Sequence, residues 1–125
     1  MVVSPALAVF LAERHLATLV TLRADGSPHS VPVGFTFTEG VVRVITNAGS
    51  VKAANVARDG RAAVTQVDGA RWVSFDGPAR VVRDPATVAA AVGAYAQRYR
   101  QPRERDDRVV IEIEVQRMMC NSGLR

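Results

Sequence analysis

The stretch Val41-Val42-Arg43-Val44-Ile45-Thr46-Asn47-Ala48-Gly49-Ser50-Val51-Lys52-Ala53-Ala54-Asn55 decides how the rest of the chain is read. Its β-branched first half predicts a strand over residues 41–46. Asn47 to Gly49 interrupts it, and residues 51–58 predict a short helix. Ser50 is placed to cap that helix, its hydroxyl accepting a free N–H of the first turn. A helix start carries unpaired donors and a partial positive charge, which suit an anion. Lys52 falls in the same turn, where a cation opposes the helix dipole unless an anion meets it. Thr46, Ser50 and Lys52 thus form a candidate phosphate cradle. The same residues also fit a plain strand–loop–helix connector with a solvated lysine, and local chemistry leaves both readings open.

Around this stretch the composition is that of a globular chain. Its 125 residues predict one domain over residues 1–125. A hydrophobic content of 48% supports a proper core and excludes a disordered chain. The 16 basic and 12 acidic residues give a modest net charge of +4. That balance suits an anionic ligand or plain solubility and does not point to nucleic acid. The single cysteine, Cys120, excludes an intrachain disulfide and predicts a reducing, cytoplasmic setting. No apolar run nears the ~20 residues that cross a bilayer. Residues 1–13 lack the basic start and cleavage site of a signal peptide.

Upstream, Ser4-Pro5 starts a helix with Leu7, Phe10 and Leu11 on one face. Residues 16–22 predict a strand apolar on both sides, as if covered on both faces. Asp25-Gly26 predicts a hairpin turn. The strand over residues 29–38 is interrupted by Pro32 and Gly34. Such a strand either lies at an edge or lets something rest against its main chain. Downstream, Gly60 suits the end of the short helix. Strands over residues 61–67 and 71–82 flank Asp68-Gly69, with a bend at Gly77-Pro78. Asp84-Pro85 starts a helix running to about Arg100, with Val88, Ala91, Val92, Tyr95 and Tyr99 on one stripe. Residues 108–115 predict an alternating strand with Glu112 and Glu114 facing out, followed by a mobile tail. Six hairpin-linked strands and three helices predict a small closed antiparallel barrel, which removes strand edges. An open sheet with one covered face is the alternative.

Protein-side chemistry is sparse. The two histidines, His15 and His29, have no metal-binding partners at ligand spacing, so no metal site is expected. His29 lies beside the Pro32–Gly34 stretch, within reach of a ligand bound there. Cys120 has no adjacent histidine to activate it. No residue is assigned as a catalytic acid, base or nucleophile, so a cofactor would carry any reaction. Arg98, Arg100, Arg103, Arg105 and Arg108 form a basic cluster, either a solvated helix end or a clamp for an acidic group.

The order of motifs resembles a known superfamily. These are Leu16-Ala-Thr-Leu-Val-Thr-Leu-Arg-Ala-Asp-Gly-Ser-Pro-His29, Pro32-Val-Gly-Phe35, Thr46-Asn-x-x-Ser50-x-Lys52 and Gln66-Val-Asp-Gly-Ala-Arg-Trp72. They resemble the flavin- and deazaflavin-binding oxidoreductases of the pyridoxamine 5′-phosphate oxidase superfamily, over about Leu7 to Val115. Within it, Gln66 to Trp72 and Tyr95-Ala-Gln-Arg-Tyr-Arg100 look most like the F420-dependent reductases of the B group, in particular those that act on biliverdin.

The resemblance implies a six-stranded antiparallel split β-barrel with flanking helices, of the FMN-binding split-barrel type. It implies a homodimer with cofactors in clefts between subunits. Ser50 and Lys52 would hold the cofactor phosphate, with Thr46, Val51 and Asn55 beside them. Ser30, Pro32, Val33 and Gly34 would line the ring system, the bare backbone there letting a flat ring approach. Gln66 and Trp72 would reach the ring region of the opposite subunit's cofactor. Arg58 and the arginines from Arg98 onward would meet an acidic tail. Flavin-dependent members carry Arg just before the phosphate Lys, where this chain has Val51, and basic residues on the strand that here holds Ser30 and Phe35. The resemblance therefore implies coenzyme F420 rather than FMN. The expected activity is hydride transfer from F420H2 to a conjugated small-molecule acceptor, a biliverdin-like tetrapyrrole first. The alternatives are an FMN-dependent oxidoreductase and a non-catalytic binder of a flavin, deazaflavin or haem-type group.

Overall fold

In the computed structural model, residues 2–125 are described. The order is α1 (Pro5–Ala12), β1 (Ala17–Leu22), β2 (Pro28–Val33), β3 (Thr36–Thr38), β4 (Val41–Asn47), α2 (Val51–Asp59), β5 (Arg61–Asp68), β6 (Arg71–Val82), α3 (Pro85–Arg98), β7 (Arg108–Glu114) and β8 (Arg117–Cys120). A 3-10 turn, Ser122–Leu124, follows β8. Helix starts sit where their caps require. Ser4, Ser50 and Asp84 each accept the backbone N–H three residues on, from Leu7, Ala53 and Thr87. Gly60 ends α2 with φ 72°, a left-handed conformation that a β-carbon would disfavour.

The strands pair antiparallel in the order β2-β1-β5-β6-β7-β4-β3, with β8 joined to β6. The expected closed, six-stranded barrel is corrected on both counts: among the described residues eight strands form an open sheet ending at β2 and β3. One extra strand arises where residues 29–38 split. Val33 still pairs with Ala17 of β1, whereas Thr36 pairs with Arg43 of β4. The chain crosses from one half of the sheet to the other at Gly34–Phe35. The second is β8, formed by the tail expected to be mobile, which pairs with β6 from Val73–Cys120 to Asp76–Arg117. Strand β6 serves both halves. It pairs with β8 up to Asp76 and with β7 from Ala79 on, and Gly77-Pro78 marks the change.

The core lies on the inner face of the sheet, around Leu7, Phe10, Leu19, Phe35, Phe75, Ile111 and Ile113. Burying each such side chain contributes about 1.5–3 kcal/mol, an upper figure because unfolded chains are themselves partly compact. Strand β1 is covered on one face only, contrary to expectation. Ala17, Leu19 and Thr21 are buried, while Thr18, Val20 and Leu22 are not. Glu112 is the other departure, buried instead of facing solvent. Arg43 Nε and Arg80 Nη2 donate to its two oxygens at 2.8 and 2.9 Å, from the strands on either side. Among the described residues, no helix is long and apolar enough to cross a membrane.

Candidate functional site

The strand-to-helix stretch builds the cradle first. Strand β4 delivers Thr46 to the start of α2. Thr46 donates its hydroxyl to Ser50 Oγ at 3.1 Å, and Ala53 N–H donates to the same oxygen at 3.2 Å. Both acceptor positions of the Ser50 hydroxyl are then filled, so its remaining capacity is its own O–H donor. Ser50 N–H is used by Asn47 O. The N–H groups of Val51 and Lys52 remain in the first turn for an outside acceptor. The loop itself is held by Ala48 N–H donating to Asp107 O at 2.7 Å. Burial pulls the Lys52 ammonium below its ordinary pKa, and no carboxylate among the described residues offsets this. The cluster therefore offers one hydroxyl, two amides and one half-buried ammonium, all donors. That set fits a phosphate.

Asn55, one turn on, faces the interior. Its Nδ2 donates to Thr21 Oγ1 at 3.0 Å, and its Oδ1 accepts from Arg58. Arg58 Nη2 also donates to Leu22 O at 2.6 Å, which ties it to the fold, while the side chain stays exposed. The basic cluster after α3 is likewise tied in part. Arg98 turns inward, Arg105 pairs with Asp107, and Arg108 donates to Arg103 O.

The remaining predicted site residues divide between two faces of the sheet. Ser30 and Pro32 lie on the outer face of edge strand β2. Register places them in rows running Pro32–Thr18–Thr65–Ser74–Met119 and Ser30–Val20–Ala63–Asp76–Arg117. Trp72 joins this face beside Val67, its backbone fixed by Asn121. The face is broad, uncovered and partly apolar: Leu16, Val67 and Met119 are 66%, 62% and 49% exposed. Val33 and Gln66 instead share the inner row Val33–Ala17–Gln66. Gln66 is fully buried, donating to Phe10 O and accepting from Arg98. Within one chain the structure thus unites Thr46, Ser50, Val51 and Lys52, sets Ser30, Pro32 and Trp72 on a separate open face, and encloses Gln66.

Gly34 is explained differently from its expected reason. A β-carbon there would lie 2.8 Å from a Tyr95 ring carbon and 3.0 Å from Tyr99. The bare backbone accommodates α3, not a flat ligand. His29 follows Thr21 on the inner side, with its Nδ1 buried and unpartnered among the described residues. His15 does have acidic neighbours. Its Nε2 lies 2.8 Å from Glu13 and 3.8 Å from Asp68, but Arg71 bridges both carboxylates. This is an ion-pair cluster already satisfied by a guanidinium.

Sequence reading missed Arg98 as a structural centre. Its signal was present: Arg98 lies seven residues after Ala91, on the same buried stripe as Tyr95.

Known proteins resemble this chain in sequence and in fold. The family described as Pyridoxamine 5'-phosphate oxidase matches over residues 3–119. An F420H(2)-dependent biliverdin reductase of Mycobacterium tuberculosis is 54% identical over 117 residues, covering 92% of this chain and 85% of the relative. A conserved hypothetical protein of the same organism superposes with a TM-score of 0.82 at 29% identity, covering 96% of this chain and 85% of the other. A structure named F420 reductase superposes with a TM-score of 0.75 at 23% identity, covering 89% and 94%; it bears on the fold alone. With the match spanning all eight strands to within one residue of the end of β8, the chain belongs to the pyridoxamine 5′-phosphate oxidase family.

Proposed function

We propose that this protein is an F420H2-dependent reductase of a conjugated small-molecule acceptor, with a biliverdin-like tetrapyrrole as the first candidate. The observation that carries the reading is the donor-only cradle of Ser50 and Lys52 at the start of α2. The 54% identity to an F420H(2)-dependent biliverdin reductase supports the choice of cofactor and acceptor.

When bound, reduced F420 supplies a hydride. The chain's own part is binding and orientation. The Ser50 hydroxyl, the Val51 and Lys52 amides and the Lys52 ammonium hold the phosphate. Ser30 and Pro32 on the open side of the β2 edge orient the ring, and Val33 and Gly34 behind them seat that edge against β1 and α3. A second copy of the chain, docked on the outer face of β1, β2, β5, β6 and β8, brings Trp72 to the cleft and keeps water out. Two features support this homodimer: the exposed Leu16, Val67 and Met119, and the placement of the cradle at the β4–α2 junction while Trp72 lies on β6 beside Val67. Gln66 acts from beneath the ring region, through Arg98. The 1–125 chain is read as one split-barrel domain, and its lone cysteine fits a reducing cytoplasm.

The cradle also discriminates. A terminal phosphomonoester such as that of FMN is close to a dianion, whereas the F420 phosphodiester carries one charge. Lys52 is the sole side-chain cation of the Thr46–Asn55 stretch, so the dianion is under-compensated. F420 is expected to bind at least about tenfold more tightly than FMN, or ~1.4 kcal/mol. Fluorescence titration of each at low salt tests this, followed by turnover of F420H2 with biliverdin. Equal or tighter FMN binding would replace this reading with an FMN-dependent one.

A further inference from the structure

We propose that Arg98 and Tyr99 are positioning residues for the cofactor ring, acting through the Gly34–Phe35 corner. The proposal rests on the reading that the Ser30–Pro32 edge lines the ring.

The corner poses a backbone problem. After Val33 the chain leaves β1, and only at Thr36 does it join β4. Phe35 is fully buried between them, without a ladder partner for its N–H or C=O. Buried backbone groups of this kind must be paired. Two α3-end side chains do so. Phe35 N–H donates to Tyr99 Oη at 3.1 Å, and Arg98 Nη1 donates to Phe35 O at 2.6 Å. Tyr99 Oη in turn donates a hydrogen bond to His15 O at 2.7 Å. The Tyr95 and Tyr99 rings pack directly over Gly34.

Arg98 does more than pair one carbonyl. Its Nε donates to Glu13 O at 2.9 Å and its Nη2 to Gln66 Oε1. Its guanidinium lies over the Phe35 ring at 4.7 Å and the Tyr99 ring at 5.1 Å. One side chain therefore spans the row Val33–Ala17–Gln66, gripping β5 at one end and the residue two past Val33 at the other. This fixes β2 laterally against β1 and β5. Among the described residues no carboxylate hydrogen-bonds the half-buried charge; Glu13 acts on it only through space, its oxygens being committed to Arg71 and His15. An apolar side chain would fill this position at lower desolvation cost. A fork with three fixed donors is what a geometric constraint requires.

The test uses the full chain and begins with Tyr99→Phe, which removes one hydroxyl and keeps the ring packing. Tyr95→Phe is its control. Amide hydrogen exchange at Phe35 should accelerate in Tyr99→Phe alone. The dissociation constant for oxidised F420, measured by fluorescence well below the melting temperature, should rise about threefold to tenfold, because Phe35 N–H and His15 O both lose the hydroxyl and the β2 corner loosens. At saturating cofactor, kcat should fall while the acceptor KM holds. Arg98→Lys should retain more affinity than Arg98→Met. A structural role alone would lower the melting temperature and leave affinity and kcat unchanged, and that result overturns the proposal. So does unchanged Phe35 exchange in Tyr99→Phe. Ser30→Trp separates the underlying reading. If it blocks F420 binding while Tyr99→Phe binds normally, the clamp alone fails; if it binds F420 normally, the ring site and the clamp fail together.

Discussion

Gly77 and Glu114 touch backbone to backbone. A β-carbon on Gly77 would fall well inside contact distance of the Glu114 carbonyl oxygen and 3.0 Å from Gln116 N. The approach occurs where β6 exchanges β8 for β7, and Gln116 N–H donates to Asp76 O at 3.0 Å. Gly77→Ala must push two strands apart. It is expected to lower stability by about 3 kcal/mol or more, measured by urea denaturation. Gly49→Ala, whose β-carbon would find its nearest neighbour at 3.8 Å, should stay within about 0.5 kcal/mol.

Lys52→Ala should leave the fold intact, since a first-turn lysine does not help the α2 dipole. It should weaken F420 binding by about 1.5–3 kcal/mol, the range for hydrogen bonds to a charged group. An unchanged dissociation constant would remove Lys52 from the cradle. Wild-type affinity should also decline as alkaline pH neutralises the ammonium, and at lower pH than for an exposed lysine, because burial has already drawn its pKa down.

Acid stability should depend on Glu13. Hydrogen bonds from Arg71 and His15 lower its carboxyl from 4.5 to about 2. A depressed carboxyl stabilises the fold above its unfolded pKa and loses that contribution as pH falls through the folded value. The melting-temperature gap between wild type and Glu13→Gln should therefore be full above about pH 5 and shrink from there toward pH 2. A gap constant across that range would detach the ion pairs from stability.

Val67 tests the dimer. It is 62% exposed on the outer face, opposite Trp72. Val67→Glu places a charge there at little cost to an isolated chain. Light scattering should report a dimer for wild type and a monomer for the variant at micromolar concentration, with F420 affinity falling in parallel. A monomeric wild type that binds F420 tightly would refute the shared cleft.

Local chemistry made much of this fold legible. Ser4, Ser50 and Asp84 announced the helix starts, and Gly60 the end of α2, because caps act over three or four residues. Alternation located β4 and β7 for the same reason. What sequence did not show depends on contacts far along the chain. Glu112 reads as a solvent-facing member of an alternating strand until Arg43 and Arg80 are known to flank it. Gln66 gives no local sign that it lies enclosed beneath α1, and the split at Gly34 depends on α3, more than 60 residues later. In the cradle, the capping role of Ser50 was readable, whereas the lone pair filled by Thr46 was not.

The pairing of β4 with β7 also has a consequence in time. Arg43 and Glu112 are 69 residues apart. On a ribosome adding about 5–20 residues per second, β4 waits roughly 3–14 seconds for its partner. Meanwhile only the short β3 can shield it, and a lone hairpin is marginal in water. The nascent chain thus presents a Val- and Ile-rich edge, the kind of segment on which other chains add. The strand that delivers the cradle is therefore the segment most in need of a chaperone during synthesis.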